Sequence, residues 1–230
     1  MSHTEFRNIL VVVAHPDDAE LSSGGSIARW TREGATVRTV VCTNGDKGTK
    51  DDISPFDLAK IREAEQLEAS RILGVAETLF LRHRDGELED TRAFRNQIAF
   101  LIRHFKPDTI LTHDPWRTYY QHPDHQAIGH ATFKAVVYAR DHHFLPELTY
   151  AGIGAHHTNN LLFLNTRKPN FFVDITETFD VKVRAVCAHK CQIKNPEAFE
   201  KRTRQRLEDA GRAAGFPVAE SFVITRMREG

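Results

Sequence analysis

Short apolar runs alternate with amphipathic stretches along most of this chain. Residues 9–14 (ILVVVA) form a continuous, β-branched apolar run, which is typical of a strand buried on both faces of a parallel sheet. Residues 24–34 follow with apolar positions at helical spacing and a glycine at the end. Residues 36–43 (TVRTVVCT) then form a second strand pattern. The first 43 residues therefore predict one strand–helix–strand unit.

The alternation of strands and helices continues as far as residue 113. The predicted elements are a helix at 56–74, a strand at 78–82, a helix at 93–105 and a strand at 108–113. This order favours an α/β fold with a Rossmann-like, mostly parallel sheet flanked by helices. We expect a single domain over residues 1–230, because no stretch rich in Gly, Ser or Pro divides the chain.

The second half of the chain departs from this regular order. A polar and aromatic stretch precedes a helix that carries residues 131–138, and an irregular segment then runs to about residue 160. Further predicted elements are strands at 170–175 and 220–225, a helix capped by Thr176 and a helix that begins at Pro196. Residues 160–165 form one more strand pattern. These elements extend the sheet beyond its first four strands.

Composition excludes several classes of partner. The 31 basic and 31 acidic residues cancel, so the chain lacks the electrostatic footprint of a protein that binds nucleic acid or an anionic membrane. No apolar stretch approaches the ~20 residues that span a bilayer, and the first residues lack the pattern of a secretory signal. We therefore expect a cytoplasmic protein whose three cysteines are reduced.

Two similar polar motifs follow two of the predicted strands. His15-Pro16-Asp17-Asp18 comes directly after the first strand, and His122-Pro123-Asp124-His125 follows the fourth strand by a few residues. In open α/β sheets, ligands bind beyond the carboxyl ends of the strands. Two histidines and one carboxylate would fill three positions on a divalent metal, which suits Zn²⁺ and also Fe²⁺. One such motif alone is more often a turn, but the pair favours a metal centre.

The two motifs together resemble a known enzyme family. AHPDDAELSSGG, with HPDH later in the chain, is similar to the LmbE-like, PIG-L-type N-deacetylases. These are zinc enzymes that remove acetyl groups from N-acetylglucosaminyl compounds. The arginine of KIREAE, the stretch FFVDITETFDVK and the late AHKCQ extend the resemblance over most of the chain. Departures from the family pattern occur at residues 22–23 and at Cys191, outside both motifs.

The resemblance implies which residues bind the metal and which residue is the general base. His15, Asp18 and His125 are the implied metal ligands. Asp17 is then the general base, which takes the proton of the attacking water while the metal lowers the pKa of that water.

The resemblance also implies roles around the reacting amide. His122, as an imidazolium, would stabilise the oxyanion and protonate the departing amine. Asp124 would hold His122 in position and raise its pKa, and Tyr120 would donate a hydrogen bond to the oxyanion. Arg62 would bind sugar hydroxyls, although a solvated residue on a helix surface is the alternative.

The implied substrate is an N-acetylglucosamine conjugate, either a small glycoside or a thiol precursor, and the implied cofactor is Zn²⁺, with Fe²⁺ possible. Two alternatives stay open: hydrolysis of another amide, such as a thiol conjugate, and a non-catalytic metal-binding module. Relatives often form homo-oligomers, so a trimer or hexamer is expected. The sequence leaves open the roles of Glu20, His113, Asp114 and His189.

Overall fold

The computed structural model describes residues 6–49, 51–119 and 122–227. Its strands are β1 (Asn8–Val13), β2 (Thr36–Thr43), β3 (Glu77–His83), β4 (Thr109–His113), β5 (Asn160–Leu164), β6 (Phe171–Asp174) and β7 (Ala219–Arg226). Its helices are α1 (Asp18–Arg32), α2 (Pro55–Leu73), α3 (Arg92–Phe105), α4 (Pro123–Arg140), α5 (Pro146–Tyr150), α6 (Phe179–Cys187) and α7 (Pro196–Arg212).

The strands form one seven-stranded sheet in the order β3-β2-β1-β4-β5-β7-β6. Strands β1 to β5 run parallel to one another, and β7 runs antiparallel between β5 and β6. The predicted α/β fold with a mostly parallel sheet and flanking helices is confirmed. The antiparallel edge has no local sequence signal, because it depends on pairing between segments far apart in the chain.

The apolar run of β1 explains why it lies in the middle of the sheet. Successive side chains of a strand point to opposite faces, so both faces of β1 need a cover of helices. Val11 and Val13 belong to a core that includes Ile27 of α1 and Phe179 of α6. Leu10 and its neighbours on the other face join a core built largely from α3 and α4. In the part of the chain described here, no helix is both long enough and apolar enough to cross a bilayer.

Both polar motifs begin helices, which the sequence pattern did not predict. Asp17 is the N-cap of α1, and His122 is the N-cap of α4 with Pro123 in its first turn. Helix α1 thus begins before the predicted segment 24–34, and the helix predicted to carry residues 131–138 begins at Pro123. Proline is favoured at the first helical position because its missing N–H has no partner there anyway. Each motif thus joins the end of a strand to the beginning of a helix.

The later elements also differ in their bounds from the sequence prediction. Helix α6 has Thr178 as its N-cap, not Thr176, and it ends at Cys187. The Thr178 hydroxyl donates a hydrogen bond to the carbonyl of Gly25 in α1, 2.8 Å away, so it joins two helices instead of capping one. His189 consequently lies in the turn that follows α6.

Candidate metal centre

The fold brings the two motifs together at one edge of the sheet. Strands β1 and β4 are parallel neighbours, with Val11 paired to Leu111, so their carboxyl ends lie side by side. The connection from β1 into α1 carries the first motif, and the connection from β4 into α4 carries the second. Two segments more than a hundred residues apart therefore form one site.

Three side-chain atoms converge within the distances that one cation requires. His15 Nδ1 lies 3.0 Å from His125 Nε2 and 3.2 Å from Asp18 Oδ2, and the last two atoms are 3.2 Å apart. A tetrahedral ion with bonds of about 2.0–2.1 Å separates its ligand atoms by about 3.3 Å. All three residues are buried, with 6–7 % of each residue exposed. The donor set of two imidazoles and one carboxylate thus fits a divalent metal.

Two carboxylates orient the ring of His15. Its Nε2 lies 3.0 Å from Asp124 Oδ2 and 3.2 Å from Asp85 Oδ1, so Nε2–H donates to carboxylates and Nδ1 faces Asp18 and His125. Carboxylates commonly fix metal-binding histidines in this way. Burial lowers the pKa of His15, but hydrogen bonds with Asp124, Asp18 and Asp85 outweigh it and raise the pKa to about 12. Binding a metal at Nδ1 therefore requires the loss of a proton.

Asp17 has a separate position beside this cluster. Its backbone φ is 102°, in the left-handed region that non-glycine residues rarely adopt. Its side chain makes no cap hydrogen bond to α1, and Oδ2 instead lies 3.2 Å from Arg62 Nη2. Burial raises the pKa of Asp17 to about 6, although the charge of Arg62 opposes this rise. A carboxylate with a pKa near neutral pH is suited to accept a proton from water.

Arg62 is buried and supports the first motif. Its guanidinium donates hydrogen bonds to the carbonyls of Pro16, 2.5 Å away, and Gly45, 3.0 Å away. A Cβ atom at Gly48 would overlap Arg62 Nη1, so a side chain there would displace the guanidinium. The alternative of a solvated residue is wrong, because only 3 % of Arg62 is exposed. Its contact with sugar hydroxyls stays a prediction.

The expected contact between Asp124 and His122 is replaced by another arrangement. Asp124 accepts hydrogen bonds from the N–H groups of Gly86, at 2.7 Å, and Leu88, at 3.0 Å, and it contacts His15. His122 Nδ1 has no hydrogen-bond partner among the described residues. Burial lowers the pKa of His122, the charges of His15 and His125 lower it further, and Asp124 only partly opposes them. Asp124 therefore supports the ring of His15, and the expectation that it holds His122 in position was wrong. Its charge does raise the pKa of His122, but burial and the two neighbouring histidines outweigh that rise.

Two further residues join the site. His113 is fully buried at the end of β4, with Nε2 3.3 Å from Asp18 Oδ2 and its ring stacked on that of His125. Its place at the end of a central strand was the signal that the sequence contained. Asp85 lies in the loop after β3 and belongs to no motif, so sequence reasoning missed it.

Two of the residues named from the sequence lie outside the cluster or outside the described structure. Asp114 accepts a hydrogen bond from the N–H of Trp116 at 2.9 Å and so stabilises the loop after β4. Tyr120 lies outside the described residues.

Comparison with known proteins identifies the family. A family profile described as PIG-L, GlcNAc-PI de-N-acetylase, matches residues 10–136, which include both motifs. The chain belongs to the PIG-L family. The resemblance seen in the sequence is confirmed.

Proteins with named activities are similar to this chain, in one case over most of its length and in another over part of it. Diacetylchitobiose deacetylase of Thermococcus kodakarensis is 35% identical over 221 residues, covering 95% of this chain and 83% of that protein. The 1D-myo-inositol 2-acetamido-2-deoxy-alpha-D-glucopyranoside deacetylase 2 of Saccharopolyspora erythraea is 35% identical over 164 residues. That match spans 60% of each chain.

A solved structure shares the fold over nearly the whole chain. N,N'-diacetylchitobiose deacetylase from Pyrococcus horikoshii, solved with an inhibitor, superposes with a TM-score of 0.90 and 30% sequence identity. The match covers 96% of this chain and 85% of that protein.

Proposed function

We propose that this protein is a metal-dependent N-deacetylase that hydrolyses the acetamide of an N-acetylglucosamine conjugate. The observation that carries the proposal is the convergence of His15 Nδ1, Asp18 Oδ2 and His125 Nε2 within 3.2 Å, beside the separate carboxylate of Asp17. A metal site of purely structural purpose has no need of a further carboxylate with a pKa near 6. Membership of a deacetylase family supports the same conclusion.

His15, Asp18 and His125 would hold the cation, for which we propose Zn²⁺, with Fe²⁺ as the second candidate. When bound, a divalent metal supplies Lewis acidity and lowers the pKa of water. Asp85 and Asp124 keep the ring of His15 oriented for this purpose. Asp18 is ionised throughout the physiological range: burial raises its pKa, but the charges of His125 and His113 hold it well below its usual value.

The remaining steps belong to residues of the chain. Asp17 takes a proton from water as the oxygen of that water bonds to the acetamide carbon. The C–N bond then breaks, and the amine leaves with a proton donated by the imidazolium form of His122, which is half-buried beside His15. Because the pKa of His122 is lowered, its imidazole must take up a proton before this step. The products are acetate and the free amino sugar. Amine protonation is needed because an unprotonated amine is a poor leaving group.

Similarity to the Thermococcus enzyme over 95% of this chain makes diacetylchitobiose the first substrate to test. The second is the inositol conjugate named for the Saccharopolyspora relative. Both are small molecules that contain N-acetylglucosamine. We therefore propose that Arg62 and the loop around Gly45 and Gly48 lie beside the sugar of the bound substrate. We also propose that the protein is cytoplasmic and forms a trimer or hexamer.

The direct test is hydrolysis of these two substrates, monitored by acetate release, and of a thiol-conjugate amide, monitored by release of its free amine. Metal-stripped protein should be inactive, and addition of Zn²⁺ should restore acetate release from at least one N-acetylglucosaminide. Hydrolysis of the thiol-conjugate amide alone would favour the other amidase activity. Absence of metal-dependent hydrolysis across the panel, with one metal bound per chain, would indicate a non-catalytic module.

A further inference from the structure

A buried polar group lies behind Asp17 and has no part in the mechanism above. Glu20 of α1, Gln66 of α2 and His189 of the turn after α6 are 1 %, 0 % and 0 % exposed. Buried polar side chains cost free energy unless they are paired, so their presence together calls for a physical reason. None of the three reaches the surface to meet substrate.

The backbone of Asp17 is the feature that such a group could stabilise. A non-glycine residue with a φ of 102° is strained and persists only where its surroundings enforce it. The Asp17 N–H donates a hydrogen bond to Gln66 Oε1 at 3.0 Å. This contact fixes the peptide immediately before the strained residue, and Arg62 fixes its carboxylate. The direction in which the Asp17 carboxylate points thus depends on Gln66.

Glu20 determines which way the Gln66 amide faces. Gln66 Nε2 donates to Glu20 Oε1 at 2.8 Å and to Ser70 Oγ at 3.2 Å. A flipped amide would place its carbonyl oxygen against the Glu20 carboxylate and its NH₂ group against the N–H of Asp17. Only the observed orientation satisfies both neighbours.

His189 completes the group from another part of the chain. Its Nε2 lies 3.4 Å from Glu20 Oε2, and among the described residues neither atom has a hydrogen-bond partner. The turn that carries His189 is attached to α2, because Glu65 accepts a hydrogen bond from the N–H of Cys191 at 3.0 Å. The position of His189 beside a buried carboxylate is therefore set by the fold.

We propose that His189, Glu20 and Gln66 are positioning residues that hold Asp17 in its left-handed conformation and direct its carboxylate at the reacting water. The proposal rests on the proposed function, because that function gives Asp17 its role as the base. The main chain of Glu20 is held independently, since the buried Lys182 ammonium donates to its carbonyl at 2.8 Å. Side-chain changes in the group should therefore leave the start of α1 in place.

The principal experiment compares Gln66→Met with Ser70→Ala in the metal-loaded full-length protein. Methionine matches the length of glutamine but cannot bond to Asp17 or Glu20. Displacing a reacting group by about 1 Å can cost about 100-fold in rate, so kcat should fall about 10- to 100-fold with KM and metal content unchanged. Ser70→Ala removes another partner of the same amide and should keep kcat within about 2-fold. A Gln66→Met variant with wild-type kcat would overturn the proposal.

A second variant tests whether the three residues act through one another. His189→Leu should lower kcat in the same way, and the Gln66→Met/His189→Leu double variant should be no slower than Gln66→Met alone. Additive losses would show that His189 acts independently of Gln66, contrary to the proposal.

Crystal structures of the wild type and of either single variant separate this proposal from the proposed function. The variant should show Asp17 out of the left-handed region or its carboxylate displaced by about 1 Å. An unchanged Asp17 would overturn the positioning role, whether or not the wild type releases acetate. A wild type without deacetylase activity but with a displaced Asp17 in the variant would instead contradict only the proposed function.

Discussion

Replacement of Asp17 by asparagine should strongly reduce kcat and at the same time stabilise the metal-free protein. Asparagine keeps the size of the side chain and tolerates the left-handed backbone, but it cannot accept a proton from water. Loss of a general base typically costs 10²- to 10⁴-fold in rate, so kcat should fall by about that factor. Metal content should persist, because none of the three converging donor atoms belongs to Asp17.

The stabilisation follows from the pKa of Asp17. Burial raises this pKa from 3.8 to about 6, so the ionised carboxylate costs the folded state about 3 kcal/mol above pH 6. Asparagine resembles the protonated carboxyl and does not carry this cost. The metal-free Asp17→Asn variant should therefore exceed the wild type by up to about 3 kcal/mol in free energy of unfolding at pH 7.

The same reasoning fixes how this difference depends on pH. Between pH 3.8 and about 6, folded wild-type protein binds more protons at Asp17 than the unfolded chain does. Its stability relative to the variant therefore falls as the pH rises through this window and is constant above it. Urea denaturation of both proteins in a chelator at pH 4 and pH 7 measures the effect. A variant less stable than wild type at pH 7, or a difference independent of pH, would refute this account of Asp17.

Other changes test separate parts of the site and the core. Because the pKa of His15 is about 12, metal binding should release a proton, and the apparent affinity for the metal should rise about 10-fold per pH unit between pH 7 and 9. Chelator competition measures the affinity, and calorimetry in two buffers measures the proton release. A metal affinity that does not change with pH would contradict this prediction. Gly48→Ala should displace the Arg62 guanidinium and lower kcat/KM for acetate release at least about 10-fold. Unchanged kinetics would show that the guanidinium can shift without disturbing the site. In the wild type, the Lys182 ammonium lies 2.7 Å from the buried Glu220 carboxylate. Lys182→Met leaves this carboxylate without its partner and should lower the free energy of unfolding, measured with urea, by about 3–5 kcal/mol. A loss below about 1 kcal/mol would argue against a stabilising ion pair.

The central sheet and the two motifs could be predicted from the sequence because their signals are local. Residues 9–14 are apolar throughout, and the motif that begins at His15 follows them directly. Both motifs follow strands that were predicted to be parallel, which implied that the motif ending at His125 would lie close to the motif beginning at His15. The structure shows Asp18 Oδ2 and His125 Nε2 3.2 Å apart, as a shared ion requires.

The residues that surround the motifs could not be predicted, because their contacts are long-range. Asp85 lies in a loop without a motif, yet it reaches His15. Gln66 has the sequence context of an ordinary helix residue, and only the packing of α2 against α1 brings it to Asp17. The partner of Asp124 was mistaken for a similar reason: adjacency in the chain suggested His122, whereas the fold brings His15 from the other motif.

The most direct test of the central claim is a crystal structure of the zinc-loaded protein, with the ion located by anomalous scattering at the zinc edge. The account predicts one ion per chain at the candidate site, bonded to His15 Nδ1, Asp18 Oδ2 and His125 Nε2 at about 2.0–2.2 Å, with at least one further position open to solvent. An ion held by His113 in place of either histidine, a site closed by a fourth protein ligand, or no ion at this edge of the sheet would contradict it.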